Sequence, residues 1–284
     1  MEVLRQILEY ILTPSAEIFI VGAIIVLILP TLVHLYIVRT TPYTTLPSIL
    51  LLGPSGGGKT ALLTLLERGD NAAATHTSQD PQSIELTVSD DHGASTFREA
   101  ARDDAPGSHR KFLLVDTPGH GKLRTQHANT GLAASTLRGV VYVVDASALD
   151  DSLPDAAGYL YDILLALQKR TGAGKTSKTP NAIHVLVAAN KLDLFTALPA
   201  SLVKSNLEAE LGRIRQSRSK GLLDSGVGVD EIGSEEQDDW LGAYGSEKFL
   251  FDQMREFDIE VEVIGGSVLE GKVDKWWDWI SGRI

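Results

Sequence analysis

GPSGGGKT, residues 53–60, lies between the apolar run SILLL (48–52) and the leucine-rich stretch ALLTLLERG (61–69). Four glycines and a proline leave Lys59 as its single bulky side chain, so the octapeptide has little with which to pack a core. Gly53, Gly58, Lys59 and Thr60 meet the pattern G-x-x-x-x-G-K-[ST], directly after a strand-like run and opening a helix-like one, which is the context that pattern requires. There, Gly53, Pro54, Ser55, Gly56, Gly57 and Gly58 can turn consecutive backbone N–H groups inward as an anion nest, and the helix N-terminus adds partial positive charge. Lys59 is placed to reach terminal phosphates, and the Thr60 hydroxyl suits Mg²⁺. The stretch is built to wrap a polyphosphate.

Outward from it, strand-like and helix-like runs alternate. SILLLG (48–53), IELTV (84–88), KFLLVD (111–116), GVVYVVD (139–145), AIHVLVAAN (182–190) and FDIEVEVIG (257–265) read as six strands. Helix-like stretches cover 59–68, about 123–137, 154–170, 199–219 and 272–283. This order predicts an α/β domain over 48–284: a mostly parallel six-stranded sheet with helices on both faces. IELTV and KFLLVD have no helix between them, so they are expected to be antiparallel neighbours with IELTV at or near an edge. Loop 89–110 is long and polar. Residues 221–246 carry seven acids, six glycines and no Lys or Arg, and read as a disordered acidic insertion outside the core.

Two further motifs narrow the ligand. KFLLVDTPGH ends a hydrophobic strand in Asp116, which can hold Mg²⁺ through a water, and places Gly119 where its N–H can meet a γ-phosphate. AANKLDL supplies Asn190, Lys191 and Asp193 after another buried strand. The Asp193 carboxylate can accept from the N1–H and 2-amino groups of guanine; adenine lacks those donors and would leave a desolvated charge unpaired. GTP with Mg²⁺ is therefore expected, rather than ATP. The loop ATHTSQDPQS (74–83) should bring a hydroxyl to the metal when a third phosphate is present, with Thr77 preferred and Thr75 close behind. The expected metal set is Thr60, Thr77 and Asp116.

Composition and the N-terminus bound the class. A formal charge of −11 argues against direct nucleic-acid binding, and zero cysteines exclude a disulfide framework, a zinc ribbon and thiol catalysis. From Ile18 to Val38 runs IFIVGAIIVLILPTLVHLYIV, without a formal charge and about 31 Å long as a helix. It reads as a transmembrane helix over 17–39, too long for a signal-peptide core and followed by no small-residue cleavage site. Residues 1–16 place Val3, Leu4, Ile7, Leu8, Ile11 and Leu12 on one helical face, an amphipathic segment at the opposite interface that meets either membrane lipid or a partner, and 40–47 form a linker broken by Pro42 and Pro47.

An N-terminal anchor followed at once by these motifs, with DTPGHGKLR (116–124) after the third strand and WWDWI (276–280) near the end, resembles the β subunit of the signal recognition particle receptor, a family of P-loop small GTPases similar to Arf and Sar. The resemblance covers nearly the whole chain outside loop 89–110 and the acidic insertion. It implies a single-pass protein of the endoplasmic reticulum membrane with its GTPase domain in the cytosol. In GTP form such a protein binds the N-terminal domain of the receptor α subunit as a heterodimer in co-translational targeting, with the translocon or ribosome as further candidate partners. G proteins also offer a Ser-Ala-Lys-like loop whose backbone meets the guanine O6; Ser267 fits its serine, but Val268 and Leu269 replace the other two, so only the backbone contact carries over. His120 stands where many G proteins have a water-positioning glutamine. It either orients the attacking water or is a switch contact in a protein whose hydrolysis is slow or partner-dependent. The same motifs leave open an Arf/Sar-like regulatory GTPase of vesicle trafficking. Trp276, Trp277 and Trp279 are expected to pack the last helix on the sheet.

Overall fold

The computed structural model describes residues 2, 25–34, 46–69, 74–89, 98, 109–173, 182–224, 241 and 248–284. The chain divides into two units, residues 1–45 and 46–284. In the first, residues 25–34 are helical with every side chain exposed, and the Thr31 hydroxyl bonds back to the carbonyls of Leu27 and Ile28. Among the described residues no helix is long and apolar enough to cross a membrane. The amphipathic segment 1–16 beyond residue 2, the rest of 17–39 and linker residues 40–45 lie outside the described residues.

The second unit is a six-stranded sheet in the order β2-β3-β1-β4-β5-β6. Its strands are β1 (Ser48–Leu52), β2 (Gln82–Ser89), β3 (His109–Asp116), β4 (Leu137–Asp145), β5 (Ile183–Asn190) and β6 (Ile259–Gly265). β1 runs parallel to β3 and β4, β5 parallel to β4 and β6, and β2 alone is antiparallel, paired with β3 at the edge. All five residues of β1 are buried, as are the last six of β5, because helices cover both faces of a parallel sheet. The helices are α1 (Lys59–Arg68), α2 (Gly121–Ala133), α3 (Leu149–Ala173), α4 (Ala200–Asp224) and α5 (Asp274–Ser281), with a 3₁₀ helix at Phe251–Phe257.

Two cores flank the sheet. One packs α2, α3 and α4 over Leu50, Leu52, Val140, Tyr142, Val185 and Val187. The other packs α1 and α5 over Ile49, Leu51, Val141 and Val143. Successive residues of a strand serve opposite cores, as period-2 geometry demands. Trp276, Trp277 and Trp279 are buried in the second core, with the Trp277 ring 6.2 Å from that of Phe112.

Several expected boundaries shift. The helix expected over 123–137 ends at Ala133, since Leu137 already belongs to β4 and is buried there. α3 begins at Leu149 instead of 154. Asp150 and Asp151 complement the dipole of its first turn, and Pro154 sits inside it in the second turn, where the Asp150 carbonyl goes without its helical N–H. Phe257, expected to open a strand, closes the 3₁₀ helix, and Asp258 with φ 58° makes the turn into β6. The acidic stretch 221–246 is not wholly outside the core: residues 221–224 complete α4, and Leu241 is fully buried in the first core. Residues 225–240 and 242–247 lie outside the described residues.

Candidate functional site

At β1 the strand order reverses, with β3 on one side and β4 on the other, and open parallel sheets bind ligands outside the carboxyl ends of their strands at such a point. Residues 53–60 occupy it. Gly53 has φ 136°, Gly56 80° and Gly58 101°, values that L side chains rarely adopt. A Cβ on Gly53 would lie 2.2 Å from the Val143 carbonyl oxygen, and one on Gly57 2.8 Å from the same atom, so glycine is required there by space as well. The loop leads into α1, whose N-cap Gly58 supplies no side chain, and the helix's first N–H groups are left for a ligand.

A cleft of about 280 Å³ opens over this loop, lined by Ser55, Gly56, Gly58, Lys59, Thr60, Ala61, Thr75, His76, Thr77, Ser78 and Gly119. Both threonines considered for the metal, Thr75 and Thr77, thus face the same space, as does His76 between them. Lys59 is 5% exposed and donates to the carbonyls of Gly53 and Pro54, each at 2.9 Å. Desolvation brings its pKa down to about 8, against the pull of Asp116. The Thr60 hydroxyl donates to Asp116 Oδ2 at 2.6 Å, while Asp116 Oδ1 has no hydrogen-bond partner among the described residues. Burial raises the Asp116 pKa despite the Thr60 bond and the charge of Lys59. Both charges are therefore disfavoured as the site stands. An anion beside Lys59 and a cation beside Asp116 would relieve them, and the orphaned Oδ1 with the Thr60 hydroxyl is an oxygen donor set suited to a hard divalent ion.

Gly119 closes the cleft beside Lys59: a Cβ there would stand 2.5 Å from Lys59 Nζ and 2.8 Å from the backbone nitrogen of Ser55. Thr117 anchors that loop by donating to the Leu51 carbonyl at 2.8 Å. His120 does not line the cleft. Its ring is exposed and caps α2, with Nδ1 accepting from the Lys122 N–H at 3.4 Å.

The far end of the site is organised by Asn190. Its side-chain amide donates to the Gly57 carbonyl at 2.9 Å, and its oxygen accepts from the Val268 N–H at 3.0 Å. One buried side chain thereby joins the glycine loop to the loop after β6. Ser267 donates to Asp193 Oδ1 at 2.6 Å, and Ser267 and Lys272 exchange backbone hydrogen bonds that close the 267–272 turn. A second hollow of about 400 Å³ is lined by Leu192, Asp193, Gly265, Gly266, Ser267, Glu270 and Lys272, among others. Lys191, with φ 67°, points its ammonium at Asp145 Oδ2, 2.5 Å away. Burial opposes ionisation of Asp145, but Lys191 and Ser147 outweigh it and lower its pKa.

Of the expected residues, Ser55, Gly56, Gly58, Lys59, Thr60, Thr77 and Gly119 line the first cleft, with Asp116 reached through Thr60, while Asp193 and Ser267 line the second hollow and Asn190 binds Gly57 and Val268. Sequence reasoning missed Asp145, which holds Lys191. The available signal was D-A-S at the end of β4, a carboxylate two residues before a serine at the same sheet edge, and Ser147 does bond back to it through both N–H and hydroxyl. It also missed that Asn190 ties two loops together, which depends on residues far apart in sequence.

Comparison with known proteins agrees with this geometry. Residues 44–257 match the family model described as signal recognition particle receptor beta subunit. The Saccharomyces cerevisiae protein "Signal recognition particle receptor subunit beta" is 31% identical over 242 residues, 84% of each chain. Among solved structures, the chain is similar to the Chaetomium thermophilum SRb-GTP/SRX complex, with a TM-score of 0.71 and 43% identity, covering 84% of this chain and all of that one. SRb-GDP-Mg from the same organism gives 0.63 and 46%, covering 86% and 100%. The chain belongs to the signal recognition particle receptor beta subunit family.

Proposed function

We propose that this chain is the membrane-anchored, GTP-binding subunit of a signal recognition particle receptor, which in its GTP form binds the N-terminal domain of the receptor α subunit and tethers it to the endoplasmic reticulum membrane. The observation that carries the reading is the Asn190 bridge. It makes the phosphate loop and the loop of Ser267 and Val268 one rigid frame, with Asp193 oriented by Ser267 at its open end. In this reading, Asp193 accepts from the guanine edge, the Val268 N–H would exchange its bond to Asn190 for one to the guanine carbonyl, and Asp145 holds the Lys191 side chain in place. Backbone N–H groups of residues 53–60 and the Lys59 ammonium hold the phosphates. Thr60, Asp116 and a threonine of the 75–77 loop, with Thr77 preferred, would hold Mg²⁺, which neutralises phosphate charge when bound.

The relatives supply the second support. One related structure is titled as a complex with GTP and SRX, another as a complex with GDP and Mg. The anchor is proposed from the sequence 18–38 and from residues 25–34, where Ile25, Val26, Leu27, Leu29 and Leu32 are each at least half exposed. A row of exposed apolar side chains such as this suits lipid. His120, exposed and engaged as a helix cap, fits a switch contact better than a residue orienting water, and hydrolysis is accordingly slow or partner-dependent.

The test is capture of the receptor α subunit N-terminal domain by the detergent-solubilised chain. Retention with a non-hydrolysable GTP analogue and loss with GDP is expected. Equal retention in both states, or none in either, would refute GTP-dependent tethering.

A further inference from the structure

Helix α2 carries the glycine loop that closes the phosphate cleft, and its own apolar packing is thin. Of its 13 residues only Ala128 and Leu132 are buried. Two arginine ties hold it to α3 instead. In its first turn, Arg124 donates from both terminal nitrogens to the two oxygens of Asp155, each at 2.9 Å, and its guanidinium lies 4.6 Å from the centroid of the Tyr159 ring. At its last turn, Arg170 of α3 donates to the Leu132 carbonyl at 2.5 Å.

The α3 half of this arrangement is rigid. Tyr159 is 3% exposed and stands edge-on to Tyr142 at 5.8 Å. Tyr142, fully buried in β4, donates to the Ala156 carbonyl at 2.7 Å, so the turn carrying Asp155 is braced from the sheet. The α2 half has less to hold it, with two buried side chains and the two arginine ties. It begins at His120, whose ring caps the helix, next to Gly119, and Gly119 packs against Lys59 and Ser55 so closely that no side chain would fit. Shifting the first turn of α2 draws Gly119 away from the phosphate end.

We propose that Arg124 is a positioning residue: held by Asp155 and Tyr159, it fixes Gly119 beside Lys59 and so sets the preference of the site for a nucleoside triphosphate over the diphosphate. The inference rests on the guanine-nucleotide reading above. A diphosphate is held by residues 53–60 and does not depend on where Gly119 stands, whereas a third phosphate must be met by the Gly119 N–H. The Asp155 side chain is 60% exposed and that of Arg124 17%, so the ion pair alone is weak, and its two-pronged geometry and the ring contact supply most of the hold.

The experiment measures GTP and GDP affinities of the detergent-solubilised full chain in Mg²⁺, using fluorescent analogues, for the wild type, Arg124→Ala, Asp155→Ala and the double variant. Each single substitution is expected to weaken GTP about three- to tenfold and GDP less than about twofold, with faster hydrogen exchange over 121–133. The double variant is expected to lose no more than Arg124→Ala alone, since that substitution already removes the ion pair that Asp155→Ala breaks. Wild-type binding with an unchanged GTP-to-GDP ratio in both single variants, equal weakening of both nucleotides, or additive losses in the double variant overturns the latch alone. A wild-type chain that binds neither nucleotide overturns the underlying reading and the latch with it.

Discussion

Replacing Asn190 by alanine should cost more than any other single truncation in the site, because that side chain is 3% exposed and makes two hydrogen bonds, one to each of two loops. Each bond contributes about 1 kcal/mol net, and the alanine leaves the Gly57 carbonyl and the Val268 N–H without their partner in a poorly solvated place, so a total of roughly 2–4 kcal/mol is expected. In a domain of this size that corresponds to a fall of about 5–15 °C in Tm. Thermal unfolding of the nucleotide-free chain followed by circular dichroism provides the assay, with Asn190→Asp alongside. Aspartate keeps an acceptor for Val268 but loses the donor to Gly57 and buries a charge, so it should be no better than alanine. A shift below about 1 °C for the alanine variant would refute the claim that Asn190 holds the two loops together.

Gly119→Ala places a methyl group within 3 Å of Lys59 Nζ and the backbone of Ser55 and Pro54. Overpacking of about 1–3 kcal/mol should weaken GTP roughly ten- to a hundredfold, and titration calorimetry showing wild-type affinity would contradict the close packing. For Lys59, the folded pKa of about 8 lies below the ordinary 10.5, so between those values the unfolded chain binds the extra proton and stability rises with pH. The unfolding free energy of the nucleotide-free wild type, measured against that of Lys59→Met, should therefore increase from pH 8 to 10.5; a difference that stays flat or falls would show that Lys59 is not desolvated.

The parallel sheet was legible because β1, β4 and β5 carry long apolar runs buried on both faces, and β3, β4 and β5 end in polar residues at the same edge: Asp116, Asp145 and Asn190. The antiparallel β2–β3 pair followed from the missing helix between them. The glycine-rich turn after β1 and the helix it opens were legible from spacing, and α1 covers 59–68 as expected. Boundaries failed where local pattern is overruled by tertiary packing. Leu137 is apolar at helical spacing yet goes to β4, Pro154 is carried inside α3, and Leu241 leaves an acidic, glycine-rich stretch to enter the core. The Asn190 bridge and the tie from Arg124 to Asp155 join residues 133 and 31 positions apart, and no local pattern encodes such pairings.

The most direct test of the account exchanges the carboxylate held by Ser267 for an amide. Asp193→Asn should lose GTP and gain xanthosine triphosphate, because an amide N–H can donate to the carbonyl that xanthine carries in place of the guanine amino group, while its oxygen still accepts from N1–H. Competition binding of GTP, XTP and ATP to the wild-type and Asp193→Asn chains measures this. The expected result is GTP alone for the first and XTP for the second; unchanged GTP preference in the variant, or ATP displacing GTP from the wild type, would contradict the guanine site itself.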